Sequence, residues 1–429
     1  MTLDRTIAPP IKDAVDFSLK LKDVDSFRLS NGIPVYTIHA GAQDVVQVEW
    51  VYFAGNAVEV HRGVAAATNF LLKNGTRSKT AFQLNEHFEY YGAYCNRNCY
   101  NETATVTLHT LTRHLPQLLP VVREMLTEAV FPEEELRIYQ QNSKQKLAVN
   151  LKKCDFVANR LIDARVYGEQ HPYGRYNEAG DYDALTTDQL KTHYQAHYLR
   201  GTCVLFVSGK LPPDIHSLLE HSFGDLPLSP FVPRTGMPVS SDPIRVSGRE
   251  ILINDRAGVQ SAIRLSRVFP NRHHPDYIPV MVLNTLFGGF FGSRLMANVR
   301  EEKGYTYGIH SYIQNHIGQT AWMISTEAGR DVTRPAVVEI YKEMLHLREF
   351  LVDEEELQLV RNYMIGTILG DLDGPFQIIG RWKNIILNEL TADYFYQSIE
   401  CIKTITPEQL RELSRKYLRD DDFYELVVI

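Results

Sequence analysis

The chain repeats itself, and that repetition limits its possible folds more than any other feature. REMLTEAVFPEEEL, from Arg123 to Leu136, returns in altered form as KEMLHLREFLVDEEEL, from Lys342 to Leu357. LTTDQLKTHYQAHYL (Leu185–Leu199) is answered by ITPEQLRELSRKYL (Ile405–Leu418). A strand-like run follows each, GTCVLFVSG in the first half and DDFYELVVI in the second. Three matches in one order, each about 220 residues apart, predict two copies of one domain. A chain of 429 residues suits two domains of about 200 residues each.

Between the copies lies GDLPLSPFVPRTGMPVSSDP, with Pro227, Pro230, Pro233, Pro238 and Pro243. Proline does not fit a helix interior or a central strand, so an extended, stiff connector is expected there. The division predicted is an N-terminal domain over 1–225, a linker over 226–244 and a C-terminal domain over 245–429. Within each half, FRLSNGIPVYTIHA reads as a hairpin turning at Asn31-Gly32, and VVQVEWVYFAG and ETATVTLHTLT read as strands. HLPQLLPVVREMLTEAV and DQLKTHYQAHYL carry helical spacing instead. The expected class is α+β: two homologous domains, each a mainly antiparallel sheet covered on one face by helices, packed as the halves of one shell.

An apolar share of 44% supports a sizeable core. A net charge of −7 argues against a nucleic-acid surface. No apolar run reaches the roughly 18 residues of a membrane span, and MTLDRTIAPPIKDAVDF lacks a signal-peptide core. The five scattered cysteines, with Cys95 and Cys99 outside C-x-x-C spacing, suit reduced thiols. A cytoplasmic protein without membrane or nucleic-acid partners is expected.

GVAAATNFLLKNGT, from Gly63 to Thr76, then raises the question of chemistry. Its frame resembles the zinc helix of the insulinase family, which includes pitrilysin and the mitochondrial processing peptidase. There H-x-x-E-H puts two imidazoles and a carboxylate on one helical face, the histidines for zinc and the glutamate as general base. Gly63, Ala65, Gly75 and Thr76 keep the frame, while Ala66, Asn69 and Phe70 stand where His, Glu and His would. The family's third ligand, a glutamate some seventy-five residues on, would fall in QQNSKQKLAVN (Gln140–Asn150), which has no carboxylate. Alanine and phenylalanine offer zinc nothing, and the asparagine amide is too weak a base, so no metal is expected in this chain. On the residues alone, GVAAATNFLL is a buried helix rich in small side chains. His193 and His197, at i and i+4, read as a solvated helix face rather than a replacement metal site, and His273-His274 as a loop element.

The second half carries NTLFGGFFGSRLMANVREEKGYTYGIHSYI, Asn284 to Ile313. Gly288-Gly289, Ser293-Arg294-Leu295, Arg300, Glu301, Gly304 and Tyr307 resemble the family's second-domain motif, as HPYGR (His171–Arg175) resembles a loop of its first domain. The resemblance implies that Arg300 and Tyr307 hold substrate backbone near a zinc site. Arginine is a permanently charged fork of donors, and a tyrosine hydroxyl can donate to a developing oxyanion. A helix ending at Gly304 would bring the two together.

An emptied zinc helix beside an intact Arg/Tyr pair resembles the non-catalytic subunit of a heterodimeric insulinase-type peptidase. That implies no enzyme activity in the isolated chain, a homologous partner bearing H-x-x-E-H and zinc, and an unfolded peptide as substrate. The alternative is a structural or peptide-binding scaffold, homodimeric and without turnover, like the core proteins of a respiratory complex.

Overall fold

A computed structural model describes residues 13–232 and 246–429. In the first half, alternating and apolar runs form β1 (Asp25–Arg28), β2 (Pro34–His39), β3 (Val45–Tyr52), β4 (Tyr94–Cys99), β5 (Ala104–Leu111) and β6 (Thr202–Gly209). They assemble in the order β1-β2-β6-β3-β5-β4, with the two-residue β7 (Ser229–Pro230) beside the start of β6. The helices are α1 (Val64–Leu71), α2 (Ala81–Tyr90), α3 (Leu115–Thr127), α4 (Glu133–Asn150), α5 (Cys154–Tyr167), α6 (Ala179–Asp183), α7 (Thr187–Tyr194) and α8 (Ile215–Phe223).

The second half holds β8 (Gly248–Leu252), β9 (Gln260–Phe269), β10 (Thr306–Asn315), β11 (Thr320–Gly329) and β12 (Tyr424–Val428). Its helices are α9 (Tyr277–Asn284), α10 (Thr333–Glu349), α11 (Glu354–Gly370), α12 (Pro375–Leu387), α13 (Ala392–Thr404) and α14 (Pro407–Tyr417). The sheet runs β10-β11-β9-β12-β8. Reversed, that is the path β2-β6-β3-β5-β4 strand for strand. Along this five-strand path even the one parallel contact recurs, β2 with β6 and β8 with β12, among otherwise antiparallel pairs. The duplication in the sequence is therefore a duplication of topology.

The hairpin at Asn31-Gly32 forms, with Gly32 at φ 84° and the Gly32 amide donating to Leu29 O. The proline-rich connector is only partly described. Pro230 sits in β7 at a strand end where no ladder donor is required, and Pro233, Pro238 and Pro243 lie outside the described residues.

One face of each sheet carries its own helices, as the pattern predicts. In the first half Val46, Val48 and Trp50 of β3 pack with Leu71, Leu118, Leu190 and Phe223. The opposite face takes a helix from the other half. Ile38, Val51, Val204 and Phe206 belong to the cluster containing Ile378, Ile379, Ile385 and Ile386 of α12. Reciprocally, Val157, Ala158, Ile162 and Val166 of α5 pack on Ala262, Met323, Leu426 and Val428 of the second sheet. The halves are thus joined by exchanged helices as well as by contact at their rims.

Candidate functional site

Helix α1 starts at Gly63, whose φ of 81° is left-handed and open to glycine at little cost. Gly75 follows at φ 142°, and the Thr76 hydroxyl accepts from the Lys79 amide at 3.0 Å while donating to Glu124. The retained frame residues therefore serve the backbone. They keep their use with no metal present.

The substituted positions have been given other tasks. Asn69 is 2% exposed, and its amide nitrogen donates to Thr105 O at 3.3 Å and to the Tyr198 hydroxyl at 3.1 Å. Its side chain is committed to the core between α1 and β5. Ala66 is half-buried. Phe70 departs from the expected buried helix, being 47% exposed. Its ring meets Tyr139 of α4 at 5.2 Å, and the Arg97 guanidinium lies 5.3 Å over it while donating to Phe70 O at 2.7 Å. An aromatic at the end of a short helix beside a cleft has too few neighbours to cover it, which spacing alone does not reveal.

The cleft between α1 and α4 measures about 500 Å³ and is walled by Phe70, Tyr139, Phe156 and Tyr182. Asn142, Ser143, Lys146 and Leu147 line its α4 side, with no carboxylate where the third ligand would be. These residues do not fit a zinc ion. Among the described residues no group of three His, Cys, Asp or Glu side chains could hold a metal.

A carboxylate does lie under the start of α1. Glu59 is buried, accepts from the Ala65 amide at 3.1 Å and pairs with Arg175 at 3.4 Å. Burial raises its pKa, against the pull of the Ala65 amide and the Arg175 guanidinium. Burial also pushes the nearby Cys99 thiol up to about 12, which leaves it unreactive. Glu59 is a helix-start anchor that the motif analysis missed; its only sequence signal was a carboxylate four residues ahead of the glycine. Arg175 places the HPYGR loop against the same corner.

In the second half, most of the motif also proves to be structural. A Cβ on Gly288 would fall 2.9 Å from Ser311 N on β10, so only glycine allows that approach. Arg294 forks onto Glu356 with two 2.7 Å bonds, and Ser293 and Leu295 are buried. Gly304 ends the helical stretch Met296–Glu302 at φ 66°, with the Tyr305 amide reaching back to Val299 O. The chain then enters β10, the edge of its sheet, through a register irregularity between Thr306 and Ile309. Tyr307 falls inside that irregularity and is 94% exposed. Arg300 is half-buried, with its guanidinium 4.6 Å over the ring of Phe291. No hydrogen bond joins Arg300 to Tyr307; both stand beside the same glycine turn, as the spacing predicts.

Residues 184–364 match the model of the peptidase M16 inactive domain. An uncharacterized zinc protease of Rickettsia felis is 22% identical over 411 residues, spanning 90% of this chain and 98% of that one. A probable mitochondrial-processing peptidase subunit beta of Schizosaccharomyces pombe is 24% identical over 281 residues, 63% of this chain and 60% of its own length. In sequence the chain is similar to insulinase-type peptidases of the M16 family, and the part matched by a family model is matched by that of the inactive domain. The fold agrees. A crystal structure of a peptidase M16 inactive domain from Pseudomonas fluorescens matches with a TM-score of 0.83 at 20% identity, covering 95% of this chain and 98% of that one.

One histidine reading needs correction. His193 is not on a solvated face: it is 5% exposed, and its Nε2 donates to Ala54 O at 3.1 Å. Its ring lies 4.5 Å from that of His197, which is half-buried. Helix α7 widens into a π turn over Gln195–Leu199, and its inner face packs toward α1. Burial and the neighbouring His197 lower the His193 pKa to about 4, so it is neutral near pH 7. His273 fills the loop role expected of it, with Nε2 donating to Asn388 O at 2.8 Å.

Proposed function

We propose that this chain is the zinc-free subunit of a heterodimeric insulinase-type peptidase. It lends Arg300 and Tyr307 to a zinc-bearing H-x-x-E-H partner that hydrolyses unfolded peptides. On this reading residues 1–225 and 245–429 are the two peptidase-like halves and 226–244 the connector. The observation that carries it is the contrast between the two motifs. At the α1 positions Asn69 is hydrogen-bonded into the core and Phe70 packs against Tyr139 and Arg97. In the second half the turn, the Arg294 fork and the packed glycine also have such uses, while the Tyr307 ring meets no neighbour that would require it. A tyrosine 94% exposed at the head of an edge strand suits a group whose contact is with something else. A peptide added along such an edge would gain main-chain hydrogen bonds, with the arginine fork and the phenol near its carbonyls.

The test is co-purification followed by kinetics. The tagged chain, drawn gently from its own cells, should bring a homologous zinc-containing chain of similar size in native mass spectrometry. Arg300→Ala should then cut the complex's peptide turnover by roughly tenfold or more without dissociating it. Unchanged turnover removes the clamp, and a zinc-free self-dimer as the sole species removes the subunit assignment.

A further inference from the structure

The cleft left where a metal would sit is lined in a way that a mere repair of the core does not require. Its walls are four aromatic rings, and Phe70 is fixed by Arg97 and Tyr139 while still presenting nearly half its surface. The charges are placed unevenly along α4. Glu135, at one end, accepts from Asn74 at 2.7 Å. Lys146, at the other end, is exposed and makes no ion pair or hydrogen bond among the described residues. Three cations nearby are engaged elsewhere, Lys144 with Asp183, Arg97 with Phe70 and Lys73 over the Phe88 ring, and among the described residues Lys146 is the one cation that lines the cleft. Glu135 and Lys146 are eleven positions apart, so at about 1.5 Å per helical residue the cleft runs about 16 Å. That accommodates about five extended residues at about 3.3 Å each. Between the ends, Asn142 and Ser143 offer amide and hydroxyl groups to a peptide backbone.

We infer that this cleft is a peptide-end site: it takes the C-terminal residues of a short peptide, an apolar or aromatic last side chain between Phe70, Tyr139 and Phe156 and the free carboxylate on Lys146. An aromatic wall next to a single unpaired cation matches a residue that is apolar and anionic at once, and in a peptide only the C-terminal residue is both. An internal acidic side chain would bring the charge without the apolar group. The inference deepens the function proposed above, since it presumes a chain that handles peptides, but it concerns the cleft in the first half and not the Arg300/Tyr307 pair.

The measurement is fluorescence polarisation of the isolated full chain with a pentapeptide labelled at its N-terminus and ending in phenylalanine, as free acid and as amide. The free acid should bind roughly tenfold more tightly than the amide. Lys146→Gln, an exposed change that leaves the fold alone, should abolish that difference. Phe70→Ala should weaken both forms by roughly tenfold. N-acetylphenylalanine, which has the same end group without the length, should compete weakly. Equal affinity for acid and amide overturns the site, as does a difference that survives Lys146→Gln. Loss of binding in Arg300→Ala would move the peptide to the second half and also overturn it. Because the isolated chain is used, these failures leave the turnover test of Arg300 in the complex standing on its own.

Discussion

Lys383 of α12 donates to both carboxylate oxygens of Glu49 on β3, at 2.9 Å each, so one ion pair ties a helix of the second half to the sheet of the first. The Glu49 side chain is 8% exposed and that of Lys383 is 32% exposed. On the other side of the molecule, Arg264 of β9 reaches Asn159 of the exchanged helix α5 at 2.7 Å. Each exchanged helix is therefore seated by a polar contact set within an apolar face.

Removing one partner of the Glu49–Lys383 pair leaves a buried, uncompensated charge. Lys383→Met should lower the stability of the full chain by about 2 kcal/mol, discounted for the partial exposure of the lysine. Glu49→Gln on top of it should restore at least half of the loss. Chemical denaturation of the three chains checks this, and a double variant no better than the single would mean that the lysine acts through packing alone.

Restoring the family's carboxylate at position 69 should not restore chemistry. Asn69→Glu would place a charge in a site 2% exposed with no metal to meet it. The variant should be less stable than the parent, increasingly so as pH rises through the raised pKa of the new carboxyl. Asn69→Ala, which gives up two hydrogen bonds, should cost about 1–3 kcal/mol with no such pH dependence. Zinc uptake by Asn69→Glu, measured by metal analysis after dialysis, would contradict the account of an abandoned site.

His193 sets a pH window. Its folded pKa of about 4 lies below the unfolded value of 6.5, so the stability it contributes is complete above 6.5 and is lost as pH falls toward 4. Between pH 7.5 and 4.5 it should account for about 2–3 kcal/mol of the parent's acid sensitivity. His193→Gln keeps a donor for Ala54 O and should flatten the curve by that amount. Parallel curves for parent and variant would show that the imidazole is protonated inside the fold.

Gly304 tests the turn that sets Arg300 and Tyr307. A Cβ there meets nothing within 4 Å, so Gly304→Ala should cost only the left-handed backbone strain at φ 66°, about 1–2 kcal/mol. Thermal melting reads that cost. The same variant should reduce turnover of the complex by shifting Tyr307, whereas a change on the far helix such as Arg415→Ala should not.

Much of this was written locally. The order and spacing of REMLTEAVFPEEEL and its echo specified a duplicated domain because each copy repeats its own hydrophobic period. The ligand positions Ala66, Asn69 and Phe70 could be read as metal-free because coordination depends on atom types, which a sequence states outright. Gly304 announced a helix end because few other residues accept its backbone angles. Other features depended on surfaces distant in the chain. Nothing in the spacing of α5 or α12 says that each covers the other half's sheet; an amphipathic stripe reports that a face is buried and not what buries it. His193 looked solvated beside charged neighbours, yet packing against α1 buried it. Phe70 looked like core, yet the cleft beside α4 left it half in solvent. The sequence by itself determined the duplicated architecture and the loss of the metal site, since both are properties of residues and their order. The tertiary structure decided which helix crosses to which sheet, which aromatic faces the cleft and that Lys146 stands at its end, because burial is set by neighbours that meet only when the chain has folded.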